Sequence, residues 1–279
     1  MMKEKVCLVT GGTSGVGRSI AVGCAREGAT VVIVGSDQTR ADAAARGMRE
    51  VTGNRQIEAL QADLSVMDSV RALAEKFKTR YRQLHVLSLN AATLTLNRRT
   101  TADGYESMFA TNYLSHFFIP NLLLDLLRRS APSRVIAVSG LPGSLVRVQL
   151  DMDDLMLKNR FSALKATARA ALAKALFIFE LARRTEGSGV TANTFHPGLV
   201  RSGLPNRLPW YLKLPAQVAM TLFPTESDTG VFLATSPEVE GLTGRIFVGR
   251  KPADFRPAYD AEGVAARLWE SSARLVGIA

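Results

Sequence analysis

The sequence predicts an α/β protein built on a doubly wound, parallel seven-stranded sheet with helices on both faces. Three observations lead there. Short runs rich in Val and Ile alternate with longer segments of helical periodicity, the pattern of repeated βαβ units. A glycine-rich turn, TGGTSGVG, stands between the first apolar run and the first helical segment. The chain has 279 residues, 47% hydrophobic and 22% charged, which suffices for one sizeable core and argues against disorder.

In chain order, the expected strands are Val6–Thr10, Thr30–Val34, Ile57–Ala62, His85–Asn90, Arg134–Ser139, Val190–Phe195 and Arg245–Val248. Each is a short β-branched or apolar run bounded by Gly, Asn, Asp or Ser. The helices are expected to begin near Gly15, Thr39, Met67, Ala102, Ser162 and Glu226. Right-handed crossovers then place helices on both faces of the sheet. No repeat, low-complexity tract or long linker divides the chain, so residues 1–279 are read as one domain. A substrate-covering segment is expected near 201–223. Within it, Leu204–Phe223 is strongly apolar yet interrupted by Arg207, Lys213 and three prolines, which fits a cover better than a membrane anchor.

Composition narrows the function classes. The net charge of +10 suits an anionic cofactor or ligand. The basic residues are scattered, without stacking aromatics, so nucleic acid is not an expected partner. Cys7 and Cys24 lack metal-ligand spacing and are read as two buried reduced thiols. No His/Cys/Asp cluster suggests a metal, and no Gly-x-Ser-x-Gly elbow suggests a hydrolase. The first strand begins almost at once after MMKEK, which leaves no room for a signal peptide, and no apolar run of membrane-spanning length follows. The expected location is therefore the cytoplasm.

The turn VCLVTGGTSGVGRSIA places Gly11, Gly15 and Gly17 where a strand passes into a helix. Glycines there allow a tight turn and close approach of the backbone to a pyrophosphate, which rests on the helix N-terminus. The spacing TGxxxGxG resembles the short-chain dehydrogenase/reductase family, whose fold is of the Rossmann type. Asp63-Leu64, LNAA at Leu89–Ala92, MFATNYLSHF, HPGLVRS, TSPEVEGLTGRIF and RLWESSARLVG extend the likeness over nearly the whole chain, toward the retinol-dehydrogenase-like branch. The resemblance implies a nicotinamide dinucleotide held by Gly11, Thr13, Ser14, Gly15, Val16, Gly17, Ser36, Asp63, Leu64, Asn90, Ala91, Pro197, Gly198, Val200 and Ser202. An acidic residue ending the second strand favours NAD, and a basic one favours NADP. Here Ser36 stands at the family's Arg position, with Arg40 a turn later, so NADP(H) is favoured over NAD(H); Asp37 counts the other way.

The same resemblance implies a catalytic Ser, a Tyr acid/base, a Lys one helical turn after it, and an Asn. The Lys would share a face with the Tyr and hold its phenol usable well below its free pKa of about 10. None of the tyrosines at 81, 105, 113, 211 and 259 has Lys four positions on. Anchoring on FSALKATARAALAKALFIFELARR puts Thr167 at the Tyr position and Ala171 at the Lys position, and SRVIAVSG puts Gly140 at the Ser position. Ser139 is adjacent, but neighbouring strand residues face opposite sides. Asn112 alone of the four survives, and Thr167 is the candidate beside it. Lys174 lies on the Thr167 face but farther along the helix. Lys174, Lys165, Arg169, Ser144, Thr93 and Thr95 are read as loop caps or solvated residues, and His116 and His196 as packing residues.

Three functions fit these residues. One is a non-redox cyclisation, isomerisation or elimination on a bulky hydrophobic molecule, working by positioning. The second is an atypical NADPH-dependent reductase with another proton donor. The third is a catalytically dead homologue that binds dinucleotide and acts by recognition. Phe161, Phe179 and the segment Trp210–Phe223 favour a hydrophobic ligand in each case. Apolar surplus on the helices near 105–129 and 162–185 implies a homodimer, or a tetramer built from such dimers.

Overall fold

A computed structural model describes residues 2–198, 227–255 and 261–278. The expected cover at 201–223, with Val200, Ser202, Trp210 and Phe223, lies outside the described residues. The strands are β1 (Val6–Thr10), β2 (Thr30–Gly35), β3 (Ile57–Gln61), β4 (Val86–Leu89), β5 (Ser133–Val138), β6 (Val190–His196), β7 (Arg245–Val248) and β8 (Lys251–Ala253). They form one sheet in the order β3-β2-β1-β4-β5-β6-β7-β8. β1 to β7 pair parallel, and β8 returns antiparallel to β7. The sheet thus has eight strands where the sequence predicted seven. The extra strand, Lys-Pro-Ala, has no β-branched residue, and its proline is tolerated because it lies at the sheet edge. Strands covered on both faces are almost wholly apolar: all four residues of β4 are buried, as are five of six in β2.

The helices are α1 (Gly15–Arg26), α2 (Gln38–Thr52) and α3 (Met67–Arg80). Next comes a continuous rod, α4 (107–122), made of Ser107–Phe109, the π-helical Ala110–Leu114 and Ser115–Leu122. Then follow α5 (Leu124–Arg129), α6 (Pro142–Leu145), α7 (Ala163–Arg184), α8 (Asp228–Thr235) and α9 (Ala261–Val276). The rod begins at Ser107, not near Ala102. Residues 101–105 close a turn instead, in which the Gly104 amide donates to the Thr101 carbonyl at 3.0 Å. Glu106 then caps the helix, accepting from the amides of Met108 (2.8 Å) and Phe109 (2.7 Å).

α9 accounts for the apolar surplus on α4 and α7. Trp269 packs edge-on to Phe117 (5.0 Å) and stacks near Phe177 (5.7 Å), with the Arg184 guanidinium 4.4 Å above its ring. Tyr113 shares a hydrogen bond of 2.7 Å with Ser272. α9 thus packs over Phe117, Phe177 and Tyr113 on the helices from which a dimer is expected. Cys7 and Cys24 are both buried and free.

Candidate active site

The strand order reverses between β1 and β4, and in doubly wound sheets ligands bind at the carboxyl ends beside such a reversal. Thr10 ties the two strands together there, its hydroxyl accepting from the amides of Asn90 (3.0 Å) and Ala91 (3.3 Å). Gly11 follows with φ +64°, and a Cβ on it would lie 2.8 Å from Ala91 Cα. A Cβ on Gly17 would lie 2.5 Å from the Gly11 carbonyl oxygen. The glycines therefore close the turn against the LNAA loop and leave its rim bare of side chains. Ser14 precedes α1, makes no capping bond with its side chain, and no acidic residue occupies the first turn. Val16 lies in that first turn. This helix end is open to an anion.

The residues fit a dinucleotide on a further observation. Asn90 spends its amide nitrogen on Ser88 Oγ (2.9 Å) and the Thr10 carbonyl (3.4 Å), while among the described residues nothing donates to its buried Oδ1. An orphan acceptor beside a bare glycine turn suits a ribose hydroxyl. Asp63 lies just beyond β3, with Oδ1 accepting from the Ser65 amide (2.9 Å) and hydroxyl (2.7 Å), whereas Leu64 is committed to the core. Thr13 presses its Cγ2 to 2.8 Å from where a Cβ on Gly35 would stand. Ser36 is exposed at the end of β2. Asp37 caps α2 by accepting from the Arg40 amide at 2.8 Å and pairs with its guanidinium at 3.5 Å. The Arg40 side chain is 76% exposed. Pro197 and Gly198 follow β6 directly.

In the catalytic half, Asn112 sits in the π-helical turn, a feature frequent at functional sites. Its Oδ1 accepts from the Thr93 amide at 2.7 Å and its Nδ2 donates to the Thr93 carbonyl at 2.9 Å, which pins the loop after β4. Thr167 is exposed and donates its hydroxyl to the Ala163 carbonyl one turn back, at 2.8 Å. A Cβ on Gly140 would lie 2.8 Å from Leu145 Cδ2 and 3.6 Å from Ala171 Cβ. Gly140 and Ala171 therefore face each other, with no ionisable group on either. Ser139 lies past the end of β5, so strand alternation does not govern it, and its hydroxyl reaches α7 to donate to the Ala171 carbonyl at 2.8 Å.

Lys174 corrects the sequence reading most clearly. It is largely buried, with only 6% of the residue exposed, although its Nζ is not among the fully enclosed, partnerless polar atoms. Burial alone lowers its pKa to about 8. His116 of α4 is fully buried, and among the described residues neither ring nitrogen meets a partner at hydrogen-bond geometry. Burial first, and then the charge of Lys174, hold the imidazole well below its ordinary range, against a smaller opposite pull from the Ala91 backbone. The sequence signal was a single cation inside the apolar run ALAKALFIFELA. Ser144 is a loop cap, donating to the Leu141 carbonyl at 2.7 Å, and Lys165 is exposed. Arg169 donates to the Asp154 carbonyl at 2.9 Å. His196 ends β6, its pKa lowered by burial. Phe179 pairs with Phe255 at 5.8 Å, and Phe161 packs with Met108, Leu157 and Ala166. No cluster of metal-ligating side chains occurs among the described residues.

The family model of short chain dehydrogenases matches residues 5–209. Human retinol dehydrogenase 14 is 36% identical, the match covering 100% of this chain and 88% of that protein. Human polyprenol dehydrogenase is 35% identical, covering 99% and 86%. A crystal structure of an uncharacterized protein from Mycobacterium paratuberculosis superposes with a TM-score of 0.77 at 29% identity, covering 99% of this chain and 94% of that one.

Proposed function

The chain belongs to the short chain dehydrogenase family, in its retinol-dehydrogenase-like branch, and from that premise we propose an NAD(P)-binding enzyme that acts on a bulky hydrophobic small molecule. Its chemistry is largely non-redox proton transfer, an isomerisation, elimination or cyclisation, in place of Tyr–Lys hydride chemistry. One observation carries the reading. Gly140 and Ala171 face each other with no ionisable group between them, beside a nucleotide cradle kept bare by Gly11 and Gly17. Replacing Ser, Tyr and Lys by Gly, Thr and Ala removes the ionisable groups and, with Leu145 packed over Gly140, makes the corner more apolar, which suits a hydrophobic substrate. The names of the relatives, retinol and polyprenol dehydrogenases, point to long apolar molecules.

A bound nicotinamide cofactor would supply a hydride donor or acceptor. Gly11, Thr13, Gly15, Val16 and Gly17 would hold its pyrophosphate, Asn90 Oδ1 a ribose hydroxyl, Asp63 the adenine end, and Pro197 and Gly198 the nicotinamide end. NADP(H) is preferred, because the Asp37 carboxylate is engaged with α2 and Arg40 while the Arg40 guanidinium stays accessible beside Ser36. Asn112 keeps the loop carrying Ala91 and Thr93 in place. A second reading, an atypical NADPH-dependent reductase with another proton donor, is favoured by the dehydrogenase names of the relatives. Calorimetric titration with all four nucleotides, followed by turnover of hydrophobic alcohols and ketones, tests both. Binding without robust redox turnover is expected. No binding of any nucleotide overturns the cofactor assignment, and fast ketone reduction favours the second reading.

A further inference from the structure

Thr167, Ala171, Lys174 and Ile178 recur on α7 at helical spacing and share one face. Thr167 is exposed at one end of that row and Ile178 is fully buried at the other. Between them, Ala171 meets Gly140, and Lys174 is the next residue inward. Side chains on a helix lean toward its N-terminus, which for Lys174 means back over the turn that carries Ala171. That turn offers a methyl group at Ala171 and a hydrogen at Gly140, with the buried Leu145 side chain packed over the glycine, so the corner beside the four-carbon stem is apolar. Across the helix interface His116 presents two buried ring nitrogens, unpartnered among the described residues, and beyond it lies the backbone of Ala91, which borders Gly11 of the cradle. Both the Lys174 charge and the Ala91 backbone act on His116, which links the row on α7 to the loop that borders the nucleotide turn. A buried amine without a counter-ion is costly, and the fold gains nothing from it that Met or Leu would not supply.

We propose that Lys174 is the acid–base group of this site, serving a hydrophobic carbonyl compound with an acidic C–H beside the carbonyl. The proposal rests on the proton-transfer reading above. The amine lone pair forms an N–H bond as the substrate C–H bond breaks, and the electron pair is left on an enolate shared with the carbonyl oxygen. Where the substrate carries a β,γ double bond, the enolate is a dienolate and the ammonium returns the proton to the γ carbon as the double bond moves into conjugation, so no oxidant or reductant is consumed. His116, held neutral, is the titratable group on which the Lys174 charge acts. With its pKa at about 8, roughly a tenth of the amine is free base at pH 7. Of the elements packed on α7, α4 brings His116, and no charged group of α9 or of the other described elements acts on the Lys174 amine. Among the described residues no carboxylate pairs with it.

Two measurements on the intact protein test the proposal. The first is carbamoylation by cyanate, a reagent small enough for a buried site, mapped residue by residue by mass spectrometry across pH 6–10. Lys174 is expected to react with an inflection near 8, ahead of the exposed lysines, and NADPH is expected to slow it. Failure of Lys174 to react, or an inflection near 10, overturns the assignment. The second is wash-in of solvent deuterium into 2-decalone, a hydrophobic ketone, with NADPH present. The wild-type protein is expected to catalyse exchange, Lys174→Met to lose about a hundredfold or more, and Lys174→Arg to retain a fraction with its pH profile moved upward. No exchange by the wild-type protein, or exchange untouched by Lys174→Met, overturns the proposal. NADPH consumed in step with the ketone overturns the parent proton-transfer reading instead, whichever way Lys174 titrates.

Discussion

Replacing Lys174 with Met should make the protein more stable, although it removes the group on which the chemistry is proposed to depend. Lys174 is 6% exposed, and among the described residues no counter-charge offsets the effect of burial on its amine. Its pKa falls from 10.5 to about 8, and burial is the cause. At 1.36 kcal/mol per pKa unit, the charged form costs the native state about 3 kcal/mol at pH 7. The sign follows from proton binding. Between about pH 8 and 10.5 the unfolded chain holds the proton and the native protein does not, so native stability rises with pH across that window. Below pH 8 the full cost applies. Met fills nearly the same volume with no charge, so Lys174→Met should gain about 3 kcal/mol at pH 7, and about 2 kcal/mol of that gain should be gone by pH 9.5. In a chain of this size the pH 7 gain corresponds to a rise in Tm of roughly 6–10 °C. Urea unfolding of both proteins at pH 7 and 9.5, without nucleotide, reads it directly. A variant that is less stable, or equally stabilised at both pH values, refutes the reasoning, because an amine already paired or solvated would give that result.

Three further outcomes follow from the geometry. Gly17→Ala puts a Cβ 2.5 Å from the Gly11 carbonyl oxygen, so it should cost about 1–3 kcal/mol of stability and weaken NADPH binding at least about tenfold by calorimetry. Unchanged affinity would mean that the turn does not hold the pyrophosphate. Arg40→Ala should weaken NADPH by about tenfold while leaving NADH nearly unaffected, and equal losses would remove the basis for the NADP preference. Self-association, expected of the α4 and α7 helices, stays a proposal. A dimer mass by light scattering at micromolar concentration supports it, and a monomer mass refutes it.

The sheet was legible because its strands are buried on both faces. Runs such as VVIV and VLSL have no polar alternation to confuse them with exposed hairpins, and each expected strand lies within a residue of an observed one at either end. β8 was not legible: Lys251, Pro252 and Ala253 pair only because β7 offers an edge. The start of α4 was read five residues early because TADG looks helical until Gly104 takes φ +82° and Glu106 claims the cap. In the site, the glycine turn and the faces of Asn112, Thr167 and Ala171 could be placed by spacing. Two features could not. Helical spacing put Lys174 on the Thr167 face but did not reveal that α4 buries it, since that depends on how two rods distant in sequence cross. Strand alternation set Ser139 aside, yet the strand ends one residue earlier and frees its side chain to reach α7.

Whether the reaction moves a proton or a hydride separates a proton-transfer enzyme from a reductase. The direct measurement uses NADPH deuterated at its hydride-donating carbon, a hydrophobic carbonyl compound that the protein converts, and mass spectrometry of the product. The account predicts product at full yield with no deuterium from the cofactor and no net loss of NADPH. Stoichiometric deuterium at the former carbonyl carbon would contradict it and make this chain a reductase that obtains its proton without the Tyr–Lys pair.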